Sequence, residues 1–431
     1  MAKNANNKVS IWQSLHNAWK VQDIRKKLIY TFFMLILFRL VGVIPAPGVD
    51  YIRVKSAMSG TNLPLLDLVN MMTGSNFSNM TIMAMGITPY INSSIIMQLL
   101  TIAIPSLERL SKSGPEGQKK IASITRYVTV VLAVIQAIGL VASLGYIKSG
   151  WFNTVLVGVS MAAGTALAMW IGERITANGL GNGVSLLIFA GIISNLFNGF
   201  TSLIANAFSA TSLTPWLTLL AVLLFALVMI VVVTFVDMGV RRIQVQYAKR
   251  VTGRKMYGGQ SSILPLKVCS VGVMPLIFAY SFMAFPSTLI QLFGGSESGL
   301  GLWWSRYMNY YSPLYMIVTA LLIIAFTYFY TSISFQPDEM AKNIQQQGGV
   351  IPHVRPGKPT ADFLARTNNR LTLFAALFLA VLATLPNLFT VGLQTSVPFA
   401  ASSLLIAVSV VLETKRQLDD LLVSRNYDTL T

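Results

Sequence analysis

Charge is scarce in this 431-residue chain: Asp, Glu, Lys and Arg together make up 11% of it, against about 25% in soluble domains. That excludes an ordinary water-soluble enzyme. Acids are the scarcer half, 15 against 32 Lys and Arg. None lies well inside an apolar run: Asp237 and Glu413 stand at run ends and Asp67 lies in a shorter segment. Proton-coupled carriers usually rely on intramembrane acids as relays, so that class loses support. A single cysteine, Cys269, excludes an internal disulfide. Two histidines, His16 and His353, leave little to hold a metal, and no cofactor is implied. There is no His-Glu-x-x-His, no P-loop and no nucleophile elbow, so no catalytic residue is assigned and the chain does not read as an enzyme. The first 24 residues are polar, with Lys3, Lys8 and Lys20 and no apolar core, so no cleavable signal peptide is expected.

What the chain has is apolar length: 54% of it is hydrophobic. A helix crosses the hydrocarbon core with roughly 20 apolar residues. Ten runs read as spans, at about 28–45, 77–104, 122–147, 151–172, 184–205, 216–236, 267–293, 313–335, 371–389 and 397–412. The expected fold is an all-α polytopic membrane protein. The gaps between spans test it. Alternate gaps, counted from the N-terminus, hold 27 of the 32 Lys and Arg residues; the others hold only Arg53, Lys55, Lys148 and Arg306. Arg39 lies inside a span. This asymmetry follows the positive-inside rule, so both termini are expected to be cytoplasmic and the span number even. The expected organisation is a cytoplasmic segment over 1–24, two five-helix halves over 25–210 and 211–412, and a cytoplasmic tail over 413–431. Trp12, Leu15 and Trp19 recur at helical spacing and predict a short interfacial helix in the first segment.

The second and seventh spans share a pattern. Met85-Gly86-Ile87-Thr88-Pro89-Tyr90-Ile91 and Val271-Gly272-Val273-Met274-Pro275-Leu276-Ile277 both read Gly, β-branched, x, Pro, x, Ile. Each is the second span of its half, and the two cross in opposite directions. An inverted repeat gives this arrangement, and paired Gly/Pro-interrupted spans point to a central pathway. Gly and Pro weaken a helix, so these spans are expected to bend more readily than the run at 216–236. Between the first two spans, residues 63–73 form a mostly apolar stretch about 15 Å long as a helix. It is too short to span, and reads either as a re-entrant piece or as an interfacial helix. Arg39 either snorkels outward or pairs with backbone carbonyls, a structural role. Residues 179–183 read as a flexible approach to the fifth span. Two loops near 30 residues long, 237–266 and 336–370, concentrate basic residues and suggest a docking surface for RNA or an acidic protein, beyond attraction to anionic lipid.

Taken together, several stretches resemble the SecY family, the channel subunits of the bacterial Sec protein translocase, over nearly the whole chain. They are Phe38-Arg39-Leu40 with Ile44-Pro45-Ala46-Pro47-Gly48, Gly86 to Ile91, Gln98-Leu99-Leu100, Thr125-Arg126-Tyr127, Gly172 to Thr176, Gly181-Asn182-Gly183, Gln246 to Arg250, Leu264 to Lys267 and Arg355-Pro356-Gly357. The resemblance implies ten helices in two inverted halves around an hourglass pore. Its waist would be closed by Ile87, Ile91, Val184, Ile188, Ile277 and Ile406. Such an aliphatic constriction excludes ions by dewetting yet yields around a passing chain. Residues 63–73, with Leu65, Leu66, Leu68, Val69, Met71 and Met72, would be the plug. The second and seventh spans would form a lateral gate carrying Gln98 and Cys269, with the third and eighth beside them. Arg254, Lys255 and Arg355 would bind the SecA motor ATPase or the ribosome, including its rRNA. The other implied partners are SecE, SecG, YidC, preprotein signal sequences and membrane lipids. The implied location is the bacterial cytoplasmic membrane.

Three departures from the family pattern stand out. Cys269 takes a place usually held by Asn beside the gate, so Gln98 is expected to lose a partner across it. Ala400-Ala401-Ser402-Ser403 replaces a glycine-led run before Ile406, and His353 replaces a small residue near Arg355. Two rival readings are a secondary transporter for a small solute or lipid, which needs a polar midplane site, and a membrane-embedded enzyme, which the missing acids and nucleophile motifs disfavour.

Overall fold

In the computed structural model the described residues are 19–49, 74, 76, 79–143, 151–209, 214–247, 250–252, 255–257, 261–270, 272, 274–293, 299–308, 312–393 and 401–428. The helices α1 (Gln22–Val41), α2 (Thr88–Ala103), α3 (Pro105–Lys112), α4 (Pro115–Ser143), α5 (Trp151–Asn178), α6 (Gly183–Ser209) and α7 (Thr214–Asp237) come first. Strands β1 (Val240–Tyr247), β2 (Arg250–Thr252), β3 (Lys255–Tyr257) and β4 (Ser261–Lys267) follow. The rest is α8 (Met274–Phe293), α9 (Gly299–Tyr307), α10 (Pro313–Ser334), α11 (Pro337–Gln346), β5 (Gly349–Val350), α12 (Lys358–Leu393) and α13 (Ala401–Asp428). Leaving aside the short α3, α9 and α11, ten helices coincide with the ten expected spans. Six are long and apolar enough to cross a membrane on their own, and α2 with α3, bent by 101°, makes a seventh. The shortfall in α1 and α13 has a simple cause: each carries its charged flank in the same helix, Arg25, Lys26 and Lys27 in one and Lys415, Arg416, Asp419 and Asp420 in the other. The chain is a multi-pass membrane protein.

The two interrupted spans break in the same way. Gly86 and Gly272 both have positive φ, 53° and 63°, a conformation that costs glycine little. Just beyond them α2 and α8 begin, each with proline in its first turn, Pro89 and Pro275, where the missing N–H costs nothing. The sequence predicts helix across 77–104. Instead, the chain before Thr88 runs as turns and helix starts only there. This stretch is held by bridging to the chain after α1: Ala46 N–H donates to Met80 and Ile82 N–H to Ile44, at 3.0 and 2.9 Å. It also lies directly on α5. A Cβ on Gly164 would come within 2.1 Å of the Ile82 carbonyl oxygen.

The basic loops are folded. β1 pairs antiparallel with β4 from Val240↔Lys267 to Gln246↔Ser261, and with β5 through Gln246↔Val350 and Tyr247↔Gly349. Along β1, buried Ile243 and Val245 alternate with exposed neighbours. They pack with Leu266, Ile344, Ile351 and Leu364 into a separate small core. Each such side chain contributes roughly 1.5–3 kcal/mol of burial in water, so this body holds itself together outside the apolar slab. The ladder continues to Val268, whose N–H donates to Gly239 at 3.0 Å. That moves the start of the seventh span from the expected residue 267 to Met274. At the same junction Arg416 of α13 pairs with the Asp237 carboxylate at 3.0 Å, tying the end of α7 to the last helix.

Within the slab, apolar burial favours no helix pairing over lipid, so close packing decides. The glycines of α5 provide it: Gly158 admits Ile138 of α4, as Gly164 admits Ile82. The two halves meet along two seams. On one, α8 packs against α2 and α4; on the other, α6 packs against α7 and α13.

Candidate functional site

Between the seams lies a cavity of about 740 Å³. Ile91, Val184, Ile188 and Ile277 line it, with Tyr90, Ser94 and Gln98 of α2, Phe278 of α8 and Tyr330 of α10 among its other walls. Ile91, Ile188 and Ile277 belong to one buried cluster that also contains Ile87 and Ile406. Five of the six residues named from the sequence are 3–6% exposed, and Val184 packs partly buried against them. They come from α2, α6, α8 and α13, thus from both halves. Each sits at the start of its helix, Ile87 as the N-cap of α2 and the others within about two turns of an N-terminus.

The mouth of the cavity faces the side of the basic loops. Arg126 near the start of α4 donates from Nε to Glu173 Oε1 at 2.8 Å, and the Arg174 guanidinium lies 5.6 Å from the Trp170 ring centre. Two stretches that the sequence reading singled out separately, around Thr125 and around Gly172, are thus joined here. The turn before α6 is tightly built, contrary to the flexible approach expected. Asn182 Oδ1 accepts from the Val184 and Ser185 N–H groups at 3.1 and 3.3 Å, an N-cap. Gly183 N–H donates to Thr176 Oγ1 at 2.9 Å. A Cβ on Gly183 would stand 1.9 Å from the Gly172 carbonyl oxygen, so only glycine fits.

Along the α2–α8 seam, Gln98 accepts a hydrogen bond from the Tyr330 hydroxyl of α10 and donates to Ser94 at 3.5 Å. The Tyr330 ring lies on Phe278, centroids 4.8 Å apart, and Phe326 meets Phe278 edge-on at 6.3 Å. Two further observations concern Gln98 and Cys269. Gln98 has a partner from across the seam, supplied by the eighth span. Cys269 does not line the cavity; it sits in the turn after β4, where the extended ladder holds it back from the helix of the seventh span.

Comparison with known proteins bears on this arrangement. A family model described as SecY matches residues 81–415. The protein translocase subunit SecY of Streptomyces scabiei is 41% identical, covering 95% of this chain and 98% of its own. The chain belongs to the SecY family. The SecY of Halalkalibacterium halodurans is 40% identical over 97% of this chain and 99% of its own. A solved protein-conducting channel superposes with a TM-score of 0.69 at 20% identity, covering 92% of each chain. A structure of canine Sec61 in a ribosome-channel complex gives 0.64 at 17% identity, again covering 92% of each chain. The ten-helix architecture of the SecY family is therefore the architecture of this chain.

Not every residue carried over from the SecY resemblance falls within the described structure. Leu65, Leu66, Leu68, Val69, Met71 and Met72 lie outside the described residues, as do Arg254 and the first eighteen residues with Trp12 and Leu15. Lys255 opens β3. Arg355 is exposed between β5 and α12. The turn around it is firmly set: Thr360 Oγ1 donates to the Arg355 carbonyl at 2.8 Å, and Gly357 has a φ of 94°. His353 also has positive φ, 64°, a region that His enters more readily than most side chains.

Arg39, the charge inside the first span, pairs with backbone carbonyls. Its guanidinium donates to Gly74 at 3.3 Å and to Ala190 of α6. Gly74 has a φ of 71°, and a Cβ there would lie 2.5 Å from the guanidinium. Arg39 thus joins three distant stretches of chain at one point. Exchanging Arg39 for Leu leaves the Gly74 carbonyl without this donor, at roughly 1–3 kcal/mol for a buried group, and removes the tie from α1 to α6. The expected result is a clearly lowered thermal unfolding midpoint in detergent, and an unchanged midpoint would show the pairing to be dispensable.

Proposed function

We propose that this chain is a protein-conducting channel of the bacterial cytoplasmic membrane, with both termini cytoplasmic. It passes unfolded, signal-bearing preproteins through its centre and releases apolar helices sideways into lipid. The observation that carries this reading is that Ile91, Val184, Ile188 and Ile277, contributed by both halves, line one cavity, and that Ile87 and Ile406 belong to the buried apolar cluster behind it. A small-solute carrier would need polar groups there; aliphatics seal against water and ions and give way to a polypeptide of any sequence. No bond is made or broken, so the chain needs no catalytic group. Energy comes from the SecA motor or the ribosome, docked on the basic body through Arg254, Lys255 and Arg355. SecE would hold the two halves from behind, with SecG and YidC more peripheral. Residues 63–73 would close the channel from the outer side.

The α2–α8 seam is the natural lateral exit. It parts at the Tyr330–Gln98 bond and its aromatic packing, both reversible. A signal helix that inserts there trades these contacts for lipid, so its hydrophobicity decides whether opening is favourable. Tyr330→Phe removes one hydroxyl. With a net hydrogen bond worth about 0.5–1.5 kcal/mol, the exit equilibrium shifts roughly two- to tenfold toward open. Signal sequences of marginal hydrophobicity should then crosslink to lipid more efficiently than in the parent protein. Equal crosslinking across a graded signal series would remove the bond from the gate.

The test of the function as a whole is reconstitution. Vesicles holding this protein with its SecE partner, SecA and ATP should import a signal-bearing preprotein into a protease-protected space. Uptake of a small solute without any preprotein import would overturn the proposal in favour of a transporter.

A further inference from the structure

The pair between Arg416 and Asp237 stands where separate parts of the molecule meet. Asp237 is the root of the basic body. Only Met238 and Gly239 separate it from β1, and both are bound: their N–H groups donate to the Thr234 and Val236 carbonyls, each at 3.0 Å. Lys267, at the end of β4, is paired with Val240 in the ladder, and its charge acts on both Asp237 and Glu413. A tilt of the sheet therefore moves Asp237 with it. Arg416 grips this root twice through Nη2, at the carboxylate (3.0 Å) and at the main-chain carbonyl of the same residue. Asp237 is buried, so parting the pair would strand a carboxylate away from water.

The same stretch of α13 lies against the first half. Thr414 sits beside the turn that precedes α6: a Cβ on Gly181 would stand 3.3 Å from its hydroxyl. Leu418 is buried with Leu180 of that turn and with Ile24 of α1. The turn leads directly into Val184 and Ile188, and α13 itself carries Ile406, ten residues or about 15 Å before Arg416. Val184, Ile188 and Ile406 thus stand on two helices whose ends on the basic side meet between Thr414 and Leu418.

We propose that Arg416 is a positioning residue that couples the basic body to the aliphatic cluster. Displacement of the body by a docked motor passes through Asp237 and Arg416 to α13 and the turn before α6, and so to Val184, Ile188 and Ile406. Coupling of this kind needs packed side chains, ion pairs and rigid helices in unbroken contact, and these residues supply them. Arg416 is not itself a docking group, because its guanidinium is committed to Asp237. The inference rests on the channel reading.

The experiment uses vesicles holding the full-length protein with SecE. SecA affinity, preprotein-stimulated ATP hydrolysis and preprotein import are measured on each variant. Arg416→Gln should import about fivefold less preprotein per ATP hydrolysed, with SecA affinity within about twofold of the parent. Arg416→Lys, which restores the charge, should recover at least about half of the parent ratio. Asp237→Asn, which keeps an acceptor for Arg416 and removes only the ion pair, should fall between parent and Arg416→Gln. A purely structural role would lower the amount of folded protein without changing import per ATP. An unchanged ratio in Arg416→Gln would therefore overturn the proposal. So would a SecA affinity that falls in step with import, which would place Arg416 on the docking surface. If Arg416→Gln does not fold, Asp237→Asn decides by the same ratio. Variants that match an importing parent remove this inference and leave the channel reading standing; a parent that imports nothing removes both.

Discussion

Exchanging Ile87 and Ile277 together for serine should turn a sealed membrane into a leaking one. In bilayers containing the double variant, resting ion conductance without any preprotein rises at least about tenfold over the parent. Both side chains are almost fully buried, at 6% and 3% exposure, and they come from opposite halves. If the six aliphatics close the waist as proposed, the exchange takes away two of its six apolar walls. Transfer of each such side chain from water is worth roughly 1.5–3 kcal/mol. If half of that for the pair stands in the barrier to a water-filled waist, the barrier falls by more than the 1.36 kcal/mol that gives a tenfold rate. The control is Ile171 to serine in α5. That residue is also buried, at 0% exposure, but lies well inside α5 and not at the helix starts that carry the six aliphatics. It should lower stability without adding conductance. Planar-bilayer recordings that show no difference between the double variant and the parent would mean that these residues are packing only and the seal lies elsewhere.

Arg355 to Glu is the second large effect. SecA-driven import should fall at least about tenfold while the unfolding midpoint stays within experimental scatter. The side chain is exposed, and surface substitutions usually change stability by no more than about 0.5 kcal/mol. Its main-chain neighbours are fixed by Thr360 and Gly357, so reversal of charge leaves the turn in place. An acid set against an acidic partner surface converts attraction to repulsion, and loss of one desolvated charge pair costs about 2–5 kcal/mol, well over tenfold in affinity. Lys at 355 should recover much of the activity. Import by the Glu variant at the parent rate would reduce this turn to a lipid contact or a structural cap.

Part of this arrangement could be read from the residues alone, and part needed three dimensions. The run from Trp216 to Val236 is legible because nothing but a membrane helix has that composition, and the basic gaps orient it. The start of α2 was not legible. Gly86 and Pro89 announce an irregularity, but whether the chain bends or begins anew depends on the bridge to Ile44 and Ala46, some forty residues away in sequence. The hairpin of β1 and β4 did leave a signal, Ile243, Val245 and Tyr247 alternating with Gln244 and Gln246, which the density of positive charge obscured. Of the cavity, the six aliphatics came from the family resemblance; by composition they are ordinary membrane residues. Tyr330 left no trace at all, because its bond joins residues 232 positions apart and a tyrosine in an apolar run usually means only packing.

The glycine contacts of α5 carry a mechanical consequence. With Ile138 and Ile82 seated where side chains are missing, three stretches of the first half are welded into one block with no room to slide. Any widening between the halves must then be a swing of whole blocks about the α6 edge, as a door moves on its jamb.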